Sequence, residues 1–194
     1  TVVDNCGNPG FISSADTAFI LSTVDLTATQ DTICSGDSVI LGATSLPQYT
    51  YTWTAGNLID DSTVVVAPPT TMTYTVTATA PNGCTYTPTI EIFVWPVPTA
   101  DFEVSAPQIC ADSVLTVSYL GVSGPDATFD WDFDGATVLS GTGSGPYQLS
   151  WSTGGPRTLS LTVSDRGCVS DTQQVTVQVP PPTPATIDAP GYVC

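Results

Sequence analysis

From Met72 to Thr79 the chain alternates apolar and hydroxyl side chains residue by residue: Met72, Thr73, Tyr74, Thr75, Val76, Thr77, Ala78, Thr79. A period of two puts one set of side chains on each face of an extended strand, so one face can be buried and the other wet. The same alternation marks Tyr51 to Thr54, Ile90 to Ile92, Leu159 to Val163 and Val175 to Val179, and further strands start near Val39 and Val114. Between them stand Pro81-Asn82-Gly83, Gly124-Pro125-Asp126 and Gly154-Gly155-Pro156, residues that favour turns. The pattern predicts an all-β chain of antiparallel sandwiches. One stretch is ambiguous, because Ser13 and Asp16 could cap a short helix through Leu21. A last strand at 18–24 is the preferred reading, since strands also follow the later turn cysteines.

Six cysteines, at 6, 34, 84, 110, 168 and 194, divide this pattern into repeats. Ile33-Cys34, Ile109-Cys110 and Val193-Cys194 follow short turn-like segments, whereas Gly83-Cys84 and Gly167-Cys168 lie in turns themselves. The first class recurs after 76 and then 84 residues, which is a domain-sized period. The chain therefore reads as the tail of one repeat (1–24), two complete repeats (25–97 and 98–179) and the opening of another (180–194). The joints are proline-rich, Trp95-Pro96-Val97-Pro98 and Val179-Pro180-Pro181-Pro182, and such segments are extended and semi-rigid.

Within a repeat the natural pairing is Cys34 with Cys84 and Cys110 with Cys168, which would add about 3–4 kcal/mol per bridge in the chain-entropy account. Cys6 and Cys194 are then left for neighbouring repeats. With no Cys-x-x-Cys spacing and no histidine, a thiolate metal site is disfavoured, and paired cysteines imply an oxidising compartment outside the cytoplasm.

Charge narrows the function. Eighteen acidic side chains against two basic ones, Arg157 and Arg166, give a formal charge of −16. A basic footprint for nucleic acid or for an anionic membrane surface is missing, and no apolar run reaches the length that spans a bilayer. Absence of histidine and lysine removes the commonest general base, the Schiff-base amine and the commonest zinc ligand. Asp60 and Asp61 form a carboxylate pair that reads as an exposed turn. No catalytic and no cofactor-binding residue is expected. Yet 17 aromatic residues and a hydrophobic fraction of 41% supply enough apolar surface for folded cores.

Phe129-Asp130-Trp131-Asp132-Phe133-Asp134-Gly135, followed by the alternating strand from Arg157 to Asp165, resembles the PKD domain family, an immunoglobulin-like sandwich marked by an aromatic and aspartate strand. The resemblance covers 98–179. Asp134-Gly135-Ala136 stands where that family has Gly-Asp-Gly. The repeat at 25–97 is similar to a related immunoglobulin-like unit with Trp53 as its core tryptophan, Trp131 serving the second. Tandem units of this kind, with one disulfide each, resemble repeats of very large surface adhesins and gliding-associated proteins of the Bacteroidota. What that implies is a secreted, extracellular, cell-surface stalk, fibre or filament, whose partners are neighbouring repeats or further copies, and surface glycans or other cells. Each bridge would close one end of its sandwich.

Three further sets of residues could carry binding chemistry. Asp130, Asp132 and Asp134 alternate with aromatics, so their carboxylates share a face, where calcium is the one cofactor to consider. Thr17, Thr32, Ser38, Ser62 and Ser113 each follow an aspartate and precede a small or β-branched residue, which resembles the O-glycan acceptor tripeptide of Bacteroidota. Tyr49, Tyr147 and Trp151, if exposed, could stack on sugar rings and make the chain a carbohydrate-binding module. Residues 1–24 could also complete a neighbour's open sandwich by strand donation.

Overall fold

The computed structural model describes residues 24–54, 61–81 and 83–181. Cys6, Thr17, Asp60 and Cys194 lie outside that set, as do nearly all of the strand or helix expected before Val24 and of the repeat expected to open at 180. The chain divides into two compact units, Thr1–Trp95 and Pro96–Cys194. No described residue is helical.

In the first unit β1 (Leu26–Ala28), β3 (Val39–Ala43) and β5 (Thr63–Val66) form one antiparallel sheet. The second sheet holds β2 (Thr32–Cys34), β8 (Thr89–Trp95), β6 (Met72–Thr79) and β4 (Thr50–Trp53) in that order, with β7 (Thr85–Tyr86) also on β6. The threonine alternation does what the period requires. Tyr74, Val76 and Ala78 of β6 point into the core with Tyr51 and Trp53 of β4, and meet Val39, Leu41, Val64 and Val66 of the opposite sheet. Val24, expected to end the preceding repeat, is 6% exposed inside this core. Burial of the Trp53 indole leaves its N–H needing an acceptor, and it donates to the Asp61 carbonyl at 3.1 Å.

The second unit repeats the plan with β9 (Phe102–Val104), β10 (Leu115–Tyr119), β12 (Thr137–Ser140) and β13 (Tyr147–Ser150) in one sheet. Its other sheet is built on β14 (Gly155–Asp165), which pairs with β11 (Thr128–Asp132), β15 (Cys168–Val169) and β16 (Gln173–Val179). Leu159, Leu161 and Val163 of β14 and Val177 and Val179 of β16 face Leu115, Val117 and Leu149. The buried tryptophan here is Trp151, 2% exposed, and not Trp131, which is half-buried against Phe102, Phe133 and Tyr147. Trp151 takes the central place because it follows β13 directly and donates its indole N–H to the Asp134 carbonyl at 3.1 Å.

The turn expected at 154–156 gives way to strand. Gln178 opposes Pro156 but spends its own N–H and C=O on Pro107 and Ile109, so the missing proline N–H faces the side that β11 does not reach.

Register also corrects the disulfide pairing. All four described cysteines are disulfide-bonded. Cys34, however, lies opposite Trp95 in a parallel pairing of β2 with β8, at the carboxyl end of β8. Cys84 lies in the turn at the far end, where its carbonyl accepts the Ala80 amide at 2.8 Å and the next residue, Thr85, pairs with Thr79. The hairpin arm from Cys84 to Trp95 runs along β6 and, at 3.3 Å per residue, puts about 30 Å between them. A disulfide tolerates roughly 4.4–6.8 Å between Cα atoms, so Cys34 and Cys84 do not bond to each other.

Cys110 and Cys168 are separated in the same way. Ile109 donates to the Gln178 carbonyl at 3.0 Å, beside the start of β14, while Cys168 pairs with Asp165 at its end, again about 30 Å away. Neither of the two expected bridges, Cys34 with Cys84 or Cys110 with Cys168, therefore closes one end of its sandwich.

Candidate functional site

The two ends of each sandwich carry the residues with the most distinctive local chemistry, the cystines. At the exit end of the first unit, Ser35 donates to the Trp95 carbonyl at 2.8 Å, and Asp37 donates its amide to the Cys34 carbonyl at 3.0 Å. The Asp37 carboxylate accepts the Cys34 N–H at 3.4 Å, and Gly36 between them takes φ 97°, a left-handed conformation open to glycine. The exit end of the second unit has the same tight turn: Ser113 donates to the Cys110 carbonyl at 3.1 Å, and Asp112 donates to the Trp151 carbonyl at 2.8 Å. Each of these cysteines is therefore held by a turn beside its unit's last strand.

The other cysteine of each unit sits at the entry end and is buried. Arg166 and Gly167 have φ 50° and 85°, the two positive values of a type I′ hairpin turn, which joins β14 to β15 and delivers Cys168 opposite Asp165. Beside it, Val169, Ser170 and Asp171 line one surface hollow with Val97, Pro98 and Ala100, the segment by which the chain enters this unit. The Ser170 hydroxyl accepts the Val163 amide at 2.9 Å, fixing the strand that carries the cysteine.

The acidic triple is divided among different tasks. Asp130 and Asp132 are exposed on the outer face of β11, as the alternation predicts. Asp134 lies beyond the strand end in a turn with φ 48°, its neighbour Gly135 at 73°. Asp132 accepts the Asp134 amide at 2.9 Å, and the Asp134 carboxylate accepts the Thr158 amide at 3.0 Å. Two of the three carboxylates are thus engaged as backbone acceptors. Among the described residues no group of three His, Cys, Asp or Glu side chains is placed to hold a metal ion.

Of the aromatics considered for sugar stacking, Trp151 and Tyr147 are core residues, 2% and 9% exposed. Tyr147 also donates its hydroxyl to the Gly143 carbonyl at 3.0 Å. Tyr49 is half-buried and stacks on Tyr86 with ring centroids 6.4 Å apart. Core packing takes up Trp151 and Tyr147, and Tyr49 is engaged with Tyr86 of β7. Of the candidate O-glycan acceptors, Thr32, Ser38 and Ser113 are exposed and Ser62 is half-buried. Thr32 donates to the Asp31 carboxylate at 3.2 Å.

No family description and no curated protein matches the chain's sequence. Solved structures do match its shape. The Down Syndrome Cell Adhesion Molecule fragment of eight amino-terminal Ig domains is similar at 18% identity and a TM-score of 0.52, over 76% of this chain and 22% of that one. A carboxyl-terminal intimin fragment, solved with the intimin-binding domain of its translocated receptor, is similar at 14% identity and 0.50, over 82% of this chain and 64% of that one. This chain spans less than two thirds of either. At such identity the likeness is one of fold, and the fold is that of tandem immunoglobulin-like β-sandwiches.

Proposed function

We propose that the chain is a structural and adhesive segment of a long extracellular stalk, fibre or filament. The observation that carries this reading is that every described cysteine is disulfide-bonded in a chain of serial sandwiches, which fits an oxidising, extracytoplasmic setting. A serial sandwich gives reach: strands of seven to eleven residues, such as β6, β14 and β16, make units about 25–35 Å long, and repetition extends them. Strong net negative charge keeps such modules soluble and apart from one another except where a specific contact forms.

The resemblance to PKD-type repeats of Bacteroidota surface proteins supports the same reading, with neighbouring repeats or further copies as partners and the exposed Thr32, Ser38 and Ser113 as O-glycan acceptors. An antibody raised against the chain tests it. Labelling of intact, unpermeabilised source cells, and thin stalks or fibres in electron micrographs of the native protein, are the expected results. Labelling only after permeabilisation would overturn the proposal.

A further inference from the structure

We infer that the free edge of β11 takes a further strand, an extended segment of a partner protein that carries basic side chains at alternate positions. The second unit alone carries the argument. In an antiparallel ladder, pairs that exchange both backbone bonds alternate with pairs that exchange none. Val163 donates its N–H to the Ser170 hydroxyl and accepts the Ser170 amide, both at 2.9 Å and both on the side of β14 away from β11. Phe129, opposite Val163, therefore exchanges no bond with it, and by alternation neither does Trp131 with Leu161. The backbone N–H and C=O of Phe129 and Trp131 turn outward, and no described residue meets them.

The other edges of this unit are guarded. β12 shifts register at a bulge between Val138 and Ser140, β9 is three residues long, and the outer side of β16 is bonded through Gln178 to Pro107 and Ile109. Bulges, short strands and covering segments are how proteins protect sheet edges from further pairing. β11 follows β14 over five residues without a shift, and no described segment covers it.

Charge selects the occupant. Asp130 and Asp132 are exposed on the outer face of β11. In a second copy of this chain, the antiparallel register that uses both open residues sets Phe129 opposite Trp131. That register puts Asp130 directly against Asp130 of the other copy, and like charges so placed destabilise a strand pair. Nor does the chain hold the complement elsewhere, since its two cations, Arg157 and Arg166, belong to β14 and the turn that follows it. A foreign strand with lysine or arginine beside Asp130 and Asp132, and apolar residues between them next to the half-buried Phe129 and Trp131, satisfies both the charge and the open backbone. This names a partner class for the adhesive segment proposed above and rests on that reading for its biological setting.

The test uses the 194-residue chain and a blocked heptapeptide that alternates lysine and valine, with lysine at both ends. Its valines would lie opposite Phe129 and Trp131, so hydrogen exchange followed by nuclear magnetic resonance should show both amides losing their fast exchange in the complex. The same peptide with N-methylated valines keeps its charge but lacks the donors for the Phe129 and Trp131 carbonyls, and this protection should disappear. Asp130→Lys, at an exposed position, should weaken binding of the lysine peptide about fivefold to tenfold and strengthen binding of a glutamate–valine counterpart. Protection of no β11 amide, equal binding of the N-methylated peptide, or indifference of both peptides to Asp130→Lys overturns the inference. Peptide binding is read on the purified chain and surface labelling on cells, so failure of one is distinguishable from failure of the other.

Discussion

The carboxylate of Asp134 accepts the backbone N–H of Thr158 at 3.0 Å, joining the turn after β11 to the strand β14 that runs through the middle of its sheet. The same residue's carbonyl accepts the Trp151 indole, so one turn residue holds both the central strand and the core tryptophan. Asp134 does this with φ 48°, which aspartate and asparagine tolerate better than other non-glycine residues.

Replacing Asp134 separates its two roles. Asp134→Ala loses the acceptor and strains the backbone, and should destabilise the second unit by about 2–3 kcal/mol. Asp134→Asn keeps an oxygen acceptor and the left-handed conformation, so about 1 kcal/mol is expected. Urea unfolding followed by tryptophan fluorescence of the 194-residue chain measures both, and equal losses for the two variants would show that the bond to Thr158 contributes nothing.

A second close contact lies near the entry end. The Gly124 amide donates to the Asp165 carboxylate at 2.9 Å, and a Cβ on Gly124 would overlap that same oxygen. Asp165 is buried, and its other oxygen has no hydrogen-bond partner, so the carboxylate cannot swing away without exposing a second unmet acceptor. Gly124→Ala should therefore cost about 2–4 kcal/mol, from overpacking and the lost charge-assisted bond together. Gly135→Ala offers a contrast, because nothing crowds its Cβ and only its φ of 73° is at stake; about 1–2 kcal/mol is expected there. Thermal unfolding monitored by circular dichroism gives the ranking, and a larger loss at Gly135 would refute it.

The strands were legible wherever one face is wet and the other dry. Alternation locates β6 from Met72 to Thr79 without error, locates most of β4 and β16, and marks only a central part of β8 and β14. It is silent on β5, whose Val64, Val65 and Val66 run without a break, although Val65 faces solvent. The aromatic triple was legible as one face of β11, but not which tryptophan reaches the core: Trp151 follows a short strand between a glycine-rich loop and the next turn, where no period develops. Least legible were the cysteines. Spacing along the chain suggests that Cys34 and Cys84 are close, and the parallel docking of β2 on β8 puts them at opposite ends. Sheet register is a long-range property, set by which strand finds which edge, and local periodicity carries no record of it.

Alkaline pH should weaken the fold through its buried phenols. Desolvation raises the pKa of Tyr74 above its ordinary 10.0, and burial does the same for Tyr147. The folded chain therefore holds these protons more tightly than the unfolded chain does. Below about pH 10 both states are protonated and the contribution is complete; as pH rises past that value the unfolded state ionises first and stability falls until the folded phenols titrate too. Urea midpoints measured from about pH 8 to about pH 11 should decline, and less steeply in Tyr74→Phe. A variant slope as steep as that of the parent chain would rule out this phenol as a source.

The difference between a packing aromatic and a binding aromatic can be measured at Trp151. Its side chain is 2% exposed, sits among Leu149, Leu159 and Val177 in one core and donates to the Asp134 carbonyl, so its removal opens a cavity and strands an acceptor. Trp151→Ala should destabilise the second unit by about 3–5 kcal/mol. Trp131→Ala, at a half-buried edge position where the ring packs on Phe102 and Phe133, should cost about 1–3 kcal/mol. A sugar platform predicts the reverse order of effects: unchanged unfolding midpoints, with glycan-array binding lost in Trp151→Ala. Because Trp151 is enclosed by its own sheet pair, the stability loss is the expected result, and it would place this side chain among the residues that keep the second unit folded.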